Sequence, residues 1–347
     1  MFTINGVWYI PIALLVFGVL IFIHEFGHFF CARLFGVPIK EFAIGMGPKL
    51  FSFQGKKYDT VYSLRLLPIG GYVSMVGEDE ESDDSNALGN KPVWQRIIIT
   101  AAGATLNLLL GVIVMTALVI GQDNFASTTI HSFSENALSC NYGLEAGDTV
   151  IKVNNTKIHV VDELLYEIMM QGTNPVDLTV VRDGEKIVLK DVSFPQTVTE
   201  GIAIGEADFF VYAEAKTFVN VMKHSLYRSW STVKMIWDSL IGLFTGRFGM
   251  EAVSGPVGVT SAIGEAASNG FSHLVYLAVV ISMNLGIFNL LPIPALDGGR
   301  IFFMLIELIF RKPIDPKYEG YIHFAGIIVL FALMAFVTFK DILKLFI

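Results

Sequence analysis

Long apolar runs alternate with polar segments along this chain, and the lengths of those runs give the first prediction. Four runs, at about 8–34, 93–121, 272–291 and 319–340, are apolar and long enough to cross a bilayer, which takes roughly 20 residues. A shorter apolar piece, Ile301–Phe310, follows the third run after a break. The pattern therefore predicts a multi-pass α-helical membrane protein with four transmembrane helices.

The segment between the first two runs has a different pattern. Residues 39–76 read as strands, with the turn-like sequence QGKK between two apolar stretches. The segment is too apolar for an ordinary loop, and non-helical backbone at membrane depth survives only where it is buried or lines a wet cavity. We therefore expect a membrane-associated β-hairpin or small sheet here.

A third kind of pattern follows the second run. Strand-like stretches such as Thr149–Val153 and Val176–Arg182 flank a helical stretch, Val161–Met170, which predicts a small inserted α/β domain. Residues 215–244 have helical periodicity and fit either an interfacial amphipathic helix or a helix packed on the soluble domain. The predicted organisation is membrane core 1–121, small domain 122–210, amphipathic linker region 211–270 and membrane core 271–347.

Composition and charge agree with a membrane protein and predict its orientation. Charged residues make up 16% of the chain, against roughly 25% in soluble domains. No basic stripe of the kind that binds nucleic acid is present. Lys and Arg are concentrated between the first and second runs and between the third and fourth, which places those loops in the cytoplasm. Both termini and the long segment 122–271 are then extracytoplasmic.

Candidate chemistry lies inside the first apolar run, in the sequence FIHEFGHFF. His24 and His28 are four residues apart, so a helix presents both imidazoles on one face, with Glu25 beside them. In the H-E-x-x-H pattern two histidines bind zinc and the glutamate acts as general base. Ionisable side chains within a span are costly and usually functional, although a polar helix–helix network is the alternative.

Zinc needs a third protein ligand, and Asp297 in NLLPIPALDGGR is the candidate. Pro292 and Pro294 break the third run just before it, and broken helices at membrane depth are tolerated where they line a site. A surface aspartate at a D-G turn is the alternative. Asn284 and Asn289 precede it and could bind a substrate backbone or join helices.

The other residues that stand out in the sequence are expected to have structural roles. Gly103, Asn107 and Gly111 share one face of the second run and predict close helix packing with one interhelical hydrogen bond. Glu307 is expected to pair with Arg300 or Arg311. Five further histidines, none with a partner at ligand spacing, are taken as ordinary surface or interface residues: His131, His159, His224, His273 and His323.

These motifs together resemble the site-2 protease family of intramembrane zinc metalloproteases. The resemblance covers nearly the whole chain, through HEFGHFFCARLFGVPIKEFAIGMGPKL, YSLRLLPIGGYVSMVGED, AGATLNLLLG, SGPVG and MNLGIFNLLPIPALDGGR. The four-span layout is similar to the bacterial regulator-of-sigma-E type. YGLEAGDTVIKVNNTKI in the insert resembles a single PDZ domain, which would be extracytoplasmic.

The resemblance implies one Zn²⁺ held by His24, His28 and Asp297, with Glu25 assisting attack by zinc-bound water. It also implies that Asn289, and with it Asn284, position the substrate. The hairpin, including Gly71 and Tyr72, would pair with an unwound substrate strand.

The resemblance further implies which substrates the chain acts on and where. The substrates would be single-span proteins in the bacterial cytoplasmic membrane, such as anti-sigma factors or remnant signal peptides, trimmed beforehand by another protease. A non-catalytic membrane adaptor or a metal-dependent transporter is the alternative function.

Overall fold

A computed structural model describes residues 9–55, 59–78, 80, 82–199, 202–250, 253–312 and 314–344. The chain forms two compact units. The first comprises the described residues up to Gly111 and from Val253 onward, and the second comprises those between Val112 and Ala252. The N-terminal tail, on which the predicted orientation partly rests, lies outside the described residues.

Eight α-helices lie in the described part of the chain. They are α1 (Tyr9–Leu34), α2 (Val93–Ile120), α3 (Val161–Gln171), α4 (Phe218–Phe244), α5 (Pro256–Ser268), α6 (Phe271–Leu290), α7 (Asp297–Phe310) and α8 (Pro316–Lys344).

Four of these helices confirm the four predicted spans to within a few residues. α1, α2, α6 and α8 are each long and apolar enough to cross a membrane. α7 contains the short apolar piece that follows the break. The break itself arises because Leu291 leaves the helical conformation just before Pro292 and Pro294, neither of which can donate a backbone hydrogen bond.

The strand-like segment forms a small irregular sheet from β1 (Ile39–Gln54) and β2 (Val61–Met75). Residues 41–44 lie in its middle, because they pair with 71–74 on one side and with 61–64 on the other. Residues 51–54 pair with 61–64 as well. The predicted hairpin is thus folded back on itself, and the segment 71–75 lies at one edge of the sheet.

The second unit contains strands β3 (Asn124–Phe133), β4 (Thr149–Val153), β5 (Thr156–Lys157), β6 (Val176–Arg182), β7 (Glu185–Val192), β8 (Gln196–Thr199), β9 (Ile202–Gly205) and β10 (Phe209–Ala215). Its main sheet has the order β10-β3-β4-β6-β7, with β5 beside β4. Alternate apolar residues of these strands and of α3 form one core, including Ile130, Leu164 and Leu178. The sequence placed the helix and these central strands correctly.

Helix α4 confirms one of the two interpretations that its sequence left open, a helix packed on the soluble domain. One face packs on the small domain, where Tyr227 stacks on His159 at 4.0 Å between ring centroids and Tyr166 donates to Asp238 at 3.1 Å. The burial of Tyr166 and the nearby Asp238 carboxylate raise the pKa of the phenol. The opposite face carries a stripe of exposed large apolar side chains: Phe218, Val219, Met222, Leu226, Trp230, Trp237, Ile241 and Phe244.

Helix α5 was not predicted as a separate element, and its N-terminus depends on a residue far along the chain. The backbone N–H groups of Gly255 and Gly258 both donate to Oδ2 of Asp341 on α8, at 2.8 Å each. Asp341 is buried. A carboxylate at this position satisfies two otherwise unpaired donors and complements the positive end of the helix dipole. α8 therefore fixes where α5 begins.

This contact predicts the effect of changing Asp341. Replacement by alanine leaves two buried N–H groups without an acceptor, which should cost about 1–2 kcal/mol of stability. Asp341→Asn keeps one acceptor oxygen and should lose less. Thermal unfolding of the purified full chain in detergent measures both variants. Equal stability of Asp341→Ala and the unmodified chain would contradict this role.

Candidate metal centre

The two histidines of the first span lie one helical turn apart on α1 and point to the same place. Both side chains are buried, and their Nε2 atoms are 3.2 Å apart. His28 Nδ1 donates to the backbone carbonyl of Ile99 on α2 at 2.9 Å. Because that bond holds the ring proton on Nδ1, the Nε2 lone pair of neutral His28 faces His24.

The structure brings Asp297 against both histidines. It is the first residue of α7, immediately after the break, and its Oδ2 lies 3.1 Å from His24 Nε2 and 3.4 Å from His28 Nε2. Apart from these two ring nitrogens, this buried oxygen has no hydrogen-bond partner among the described residues. Two imidazole nitrogens and one carboxylate oxygen, from the three residues that the sequence singled out, thus meet at one point.

These three atoms fit a zinc ion. Ligands that bind zinc tetrahedrally at about 2.0–2.1 Å lie about 3.3 Å from one another. The three distances observed here are 3.1, 3.2 and 3.4 Å. Three protein ligands leave one tetrahedral position open, which is the arrangement of catalytic rather than structural zinc sites.

Close packing of α1 against α2 places the imidazoles. A β-carbon at Gly27 would lie 2.5 Å from the carbonyl oxygen of Ala102, and one at Gly103 would lie 2.4 Å from His28 Nε2. Larger residues at either position would push the helices or the rings apart. The sequence predicted that Gly103 is part of a packing face. The spacing alone did not show that α1 is the helix that packs against it.

Asn107 lies one turn further along the same face of α2 and is fully buried. Its amide nitrogen is 3.5 Å from His24 Nδ1, while its amide oxygen has no partner among the described residues. Its backbone carbonyl accepts a hydrogen bond from Ser282 on α6 at 2.8 Å. The predicted interhelical contact of the Asn107 side chain is thus made to His24 on α1, and the Asn107 backbone adds a second one to α6.

Glu25 is half-buried beside this cluster, next to the edge of the β1–β2 sheet. A β-carbon at Gly71 would lie 3.3 Å from Glu25 Cγ, so the strand passes directly over the glutamate side chain. The structure thus brings together Glu25 and Gly71, two of the residues that the sequence singled out.

Tyr72 points elsewhere, into a polar cluster within the sheet. Its hydroxyl meets Arg65, and Glu41 accepts hydrogen bonds from Ser63 at 2.5 Å and from Arg65 at 3.0 Å. Burial raises the pKa of Glu41, but the hydrogen bonds from Ser63, Tyr72, Arg65 and Lys49 outweigh it and lower the pKa to about 2. The carboxylate stays ionised and ties the two strands together near the site.

The two asparagines of α6 are not part of the cluster of three ligand atoms. Asn284 is exposed, whereas the buried face of α6 carries Ser282, Met283 and Gly286. Asn289 is half-buried at the end of the helix, just before the break that leads to Asp297. Their substrate-positioning role stays a prediction.

Helix α8 holds the loop that carries Asp297, which the sequence did not reveal. The backbone N–H of Ala295 donates to His323 Nδ1 at 2.9 Å, and Ala295 has a φ of 76°. A β-carbon at Gly326 would lie 2.6 Å from Pro294 Cβ. The sequence indicates only an ordinary surface or interface role for His323, and no local signal links it to a loop so distant in sequence.

The prediction for Glu307 was wrong. Its carboxylate pairs with Arg96 on α2 at 2.9 Å, and Arg300 pairs with Glu78 at 2.6 Å. Both pairs line a polar cavity of about 780 Å³ that also reaches His323. Proximity in sequence favoured a partner for Glu307 on or next to α7. In the folded protein, Glu307 and Arg300 instead pair with residues of α2 and of the loop that follows β2.

The chain is similar to known proteins over nearly its whole length. The model of peptidase family M50 matches residues 12–333. A Clostridium perfringens protein named as a zinc metalloprotease is 38% identical, over 96% of this chain and 98% of its own length. The regulator of sigma-W protease RasP of Bacillus subtilis is 30% identical, over 96% and 98% respectively. Zinc metalloprotease RasP of Shouchella clausii is also 30% identical, over 95% and 98%.

The packing of Gly103 against the imidazoles gives a test with a matched control on the same helix. Gly103→Ala should displace the His28 ring and lower zinc affinity roughly tenfold or more. A β-carbon at Gly111 would meet only the flexible side chain of Met283, so Gly111→Ala should keep zinc binding within about twofold. Zinc affinity by chelator competition distinguishes them. Equal affinities would contradict the steric argument.

Proposed function

The chain belongs to peptidase family M50 and is an intramembrane zinc protease, and from that premise we propose that it cuts the transmembrane segments of single-span membrane proteins. The observation that carries the proposal is the position of the HEFGH sequence. It lies in a helix long and apolar enough to cross a membrane, and its histidines meet Asp297 there. A protease whose reactive groups lie within a span acts on a peptide bond at that depth.

In this proposal His24, His28 and Asp297 hold the zinc ion. Zinc, when bound, supplies a Lewis acid that polarises the scissile carbonyl and makes water more acidic. The ligand set has two neutral donors and one carboxylate, so it leaves part of the metal charge available for that purpose.

Glu25 is proposed as the general base and acid. Its carboxylate takes a proton from the attacking water and returns it to the departing amine. Its half-buried position and its place directly after His24 on α1 support this role. Gly71 lets the edge strand lie against the Glu25 side chain, because a β-carbon there would be 3.3 Å from Glu25 Cγ.

The edge of the β1–β2 sheet is proposed as the substrate platform. A helical peptide bond is not accessible, since its carbonyl is hydrogen-bonded along the helix, so the substrate must unwind. An extended strand can then pair with an exposed sheet edge through main-chain hydrogen bonds. Residues 71–75 form the edge that passes over Glu25. Asn289 and Asn284 are proposed to help position the substrate.

Residues 122–210 are proposed to be a PDZ domain on the extracytoplasmic side, together with both termini. The six-stranded antiparallel sheet with a packed helix supports that assignment. The domain would admit substrates that another protease has already trimmed. The relative named regulator of sigma-W protease supports our proposal of anti-sigma factors as one substrate class, and remnant signal peptides are proposed as the other.

The role of Glu25 gives the most direct test of the proposal. Glu25→Gln keeps the shape of the side chain but cannot accept the proton, so cleavage should fall by at least a hundredfold. The zinc ligands are untouched, so zinc content should stay at one per chain. Cleavage of a single-span substrate in detergent and elemental analysis measure the two quantities. Normal cleavage by this variant would rule out the proposed mechanism.

Asp297 provides an independent test of the ligand set. Asp297→Asn replaces the carboxylate with a weaker neutral donor and should lower zinc affinity and cleavage together. Asp315→Asn, in the loop after α7 and outside the cluster, is the matched control and should keep both. Unchanged zinc affinity in Asp297→Asn would remove this residue from the ligand set.

A further inference from the structure

Asn107 presents an unusual combination of full burial and an unpaired oxygen. The side chain lies between α1, α2 and α6, its Oδ1 has no hydrogen-bond partner among the described residues, and its Nδ2 faces His24 Nδ1 at 3.5 Å. Leaving a buried carbonyl oxygen unpaired costs about 1–3 kcal/mol. A neutral polar residue in this position therefore needs a partner that is available in the working state of the protein.

The geometry of His24 identifies that partner. Its Nε2 is the ring atom that faces Asp297 and His28, at 3.1 and 3.2 Å. A neutral imidazole that offers its Nε2 lone pair to a metal carries its proton on Nδ1, and that N–H needs an acceptor. Donation from the Asn107 amide nitrogen to Nδ1 would place the ring proton on Nε2 instead, and zinc could not bind there.

We propose that Asn107 is a positioning residue for the metal centre: its amide oxygen accepts the hydrogen bond from His24 Nδ1–H and so keeps the His24 Nε2 lone pair directed at the zinc site. A half-turn of the amide about its Cβ–Cγ bond exchanges Oδ1 and Nδ2, so the oxygen then faces His24 Nδ1 and the NH2 takes the position that the oxygen held. This inference rests on the proposed ligand set.

His28 shows the same arrangement with a different acceptor. Its Nδ1 donates to the backbone carbonyl of Ile99, two turns before Asn107 on the same helix. Both imidazoles are thus oriented by α2, one through a main-chain oxygen and the other through a side-chain oxygen. Metal-bound histidines generally donate their other ring N–H to such an oxygen, which fixes the tautomer and the ring orientation.

Asn107 is itself held firmly in place. Ser282 Oγ, almost completely buried, donates to the Asn107 carbonyl at 2.8 Å and ties this turn of α2 to α6. That bond uses the backbone of Asn107 and leaves its side chain free to serve His24. The two functions of the residue can therefore be separated by mutation.

The test compares variants that differ in the group they offer to His24. Asn107→Leu and Asn107→Ser remove the acceptor, the second because the hydroxyl is too short to reach Nδ1. Asn107→Asp keeps an oxygen acceptor and removes the amide donor. Zinc affinity of the purified full chain by chelator competition, and the visible spectrum of the Co²⁺-loaded protein, are measured for each, with thermal unfolding as a check on folding.

Asn107→Leu and Asn107→Ser should lose zinc affinity by about 10–100-fold and should show a changed Co²⁺ spectrum, because His24 Nδ1–H loses its acceptor. Asn107→Asp should bind zinc at least as tightly as the unmodified chain. Unchanged affinity in both Asn107→Leu and Asn107→Ser would overturn the proposal. So would a loss in Asn107→Asp as large as in Asn107→Leu, because the amide would then act as a donor that joins helices.

Two further variants separate this inference from the proposed function. Ser282→Ala removes the backbone tie and should lower the unfolding temperature while keeping zinc affinity within about twofold. His24→Ala should abolish tight zinc binding if the ligand set is correct. Retained zinc binding in His24→Ala would refute the ligand set itself, whereas loss in His24→Ala with none in Asn107→Leu would refute only the role of Asn107.

Discussion

The close contact between α1 and α2 is the constraint on which the metal centre depends. Gly27 and Gly103 allow the two backbones to approach until the imidazole rings of α1 rest directly on α2. At that distance the carbonyl of Ile99 reaches His28, and the side chain of Asn107 reaches His24. A membrane supplies no hydrophobic force between helices, so small residues and buried polar contacts must hold such a pair together.

A second requirement is that a helix end must lie at membrane depth. Asp297 can meet the histidines because the chain unwinds between α6 and α7, and the two prolines at the break remove donors that lipid could not satisfy. α8 compensates for this irregular backbone through the bond from Ala295 to His323. The site is thus assembled from one continuous helix, one broken helix and two supporting helices, α2 and α8, that provide no ligand.

Local patterns in the sequence predicted the spans, the strands and the three residues that converge, because each of these depends on composition or on spacing within one element. The HEFGH pattern is sufficient to predict that its two histidines lie together, since a helix places the side chains of residues 24 and 28 on the same face. The partners of Glu307 and Ala295 were missed for the opposite reason. Arg96 and His323 reach them only through tertiary packing, and no spacing rule connects residues on different helices. Asn107 is an intermediate case. Its spacing showed that it lies on a packing face, but did not show that its side chain contacts His24.

The two contacts of α8 have a consequence for how the protein is made. His323 and Gly326 hold the loop of Asp297, while Asp341 near the other end of the same helix holds the start of α5. Both histidines precede α8 by most of the chain, so a chain still emerging from the ribosome possesses them long before it possesses α8. The metal centre therefore gains this support late in synthesis, after α1, α2, α6 and α7 have been made.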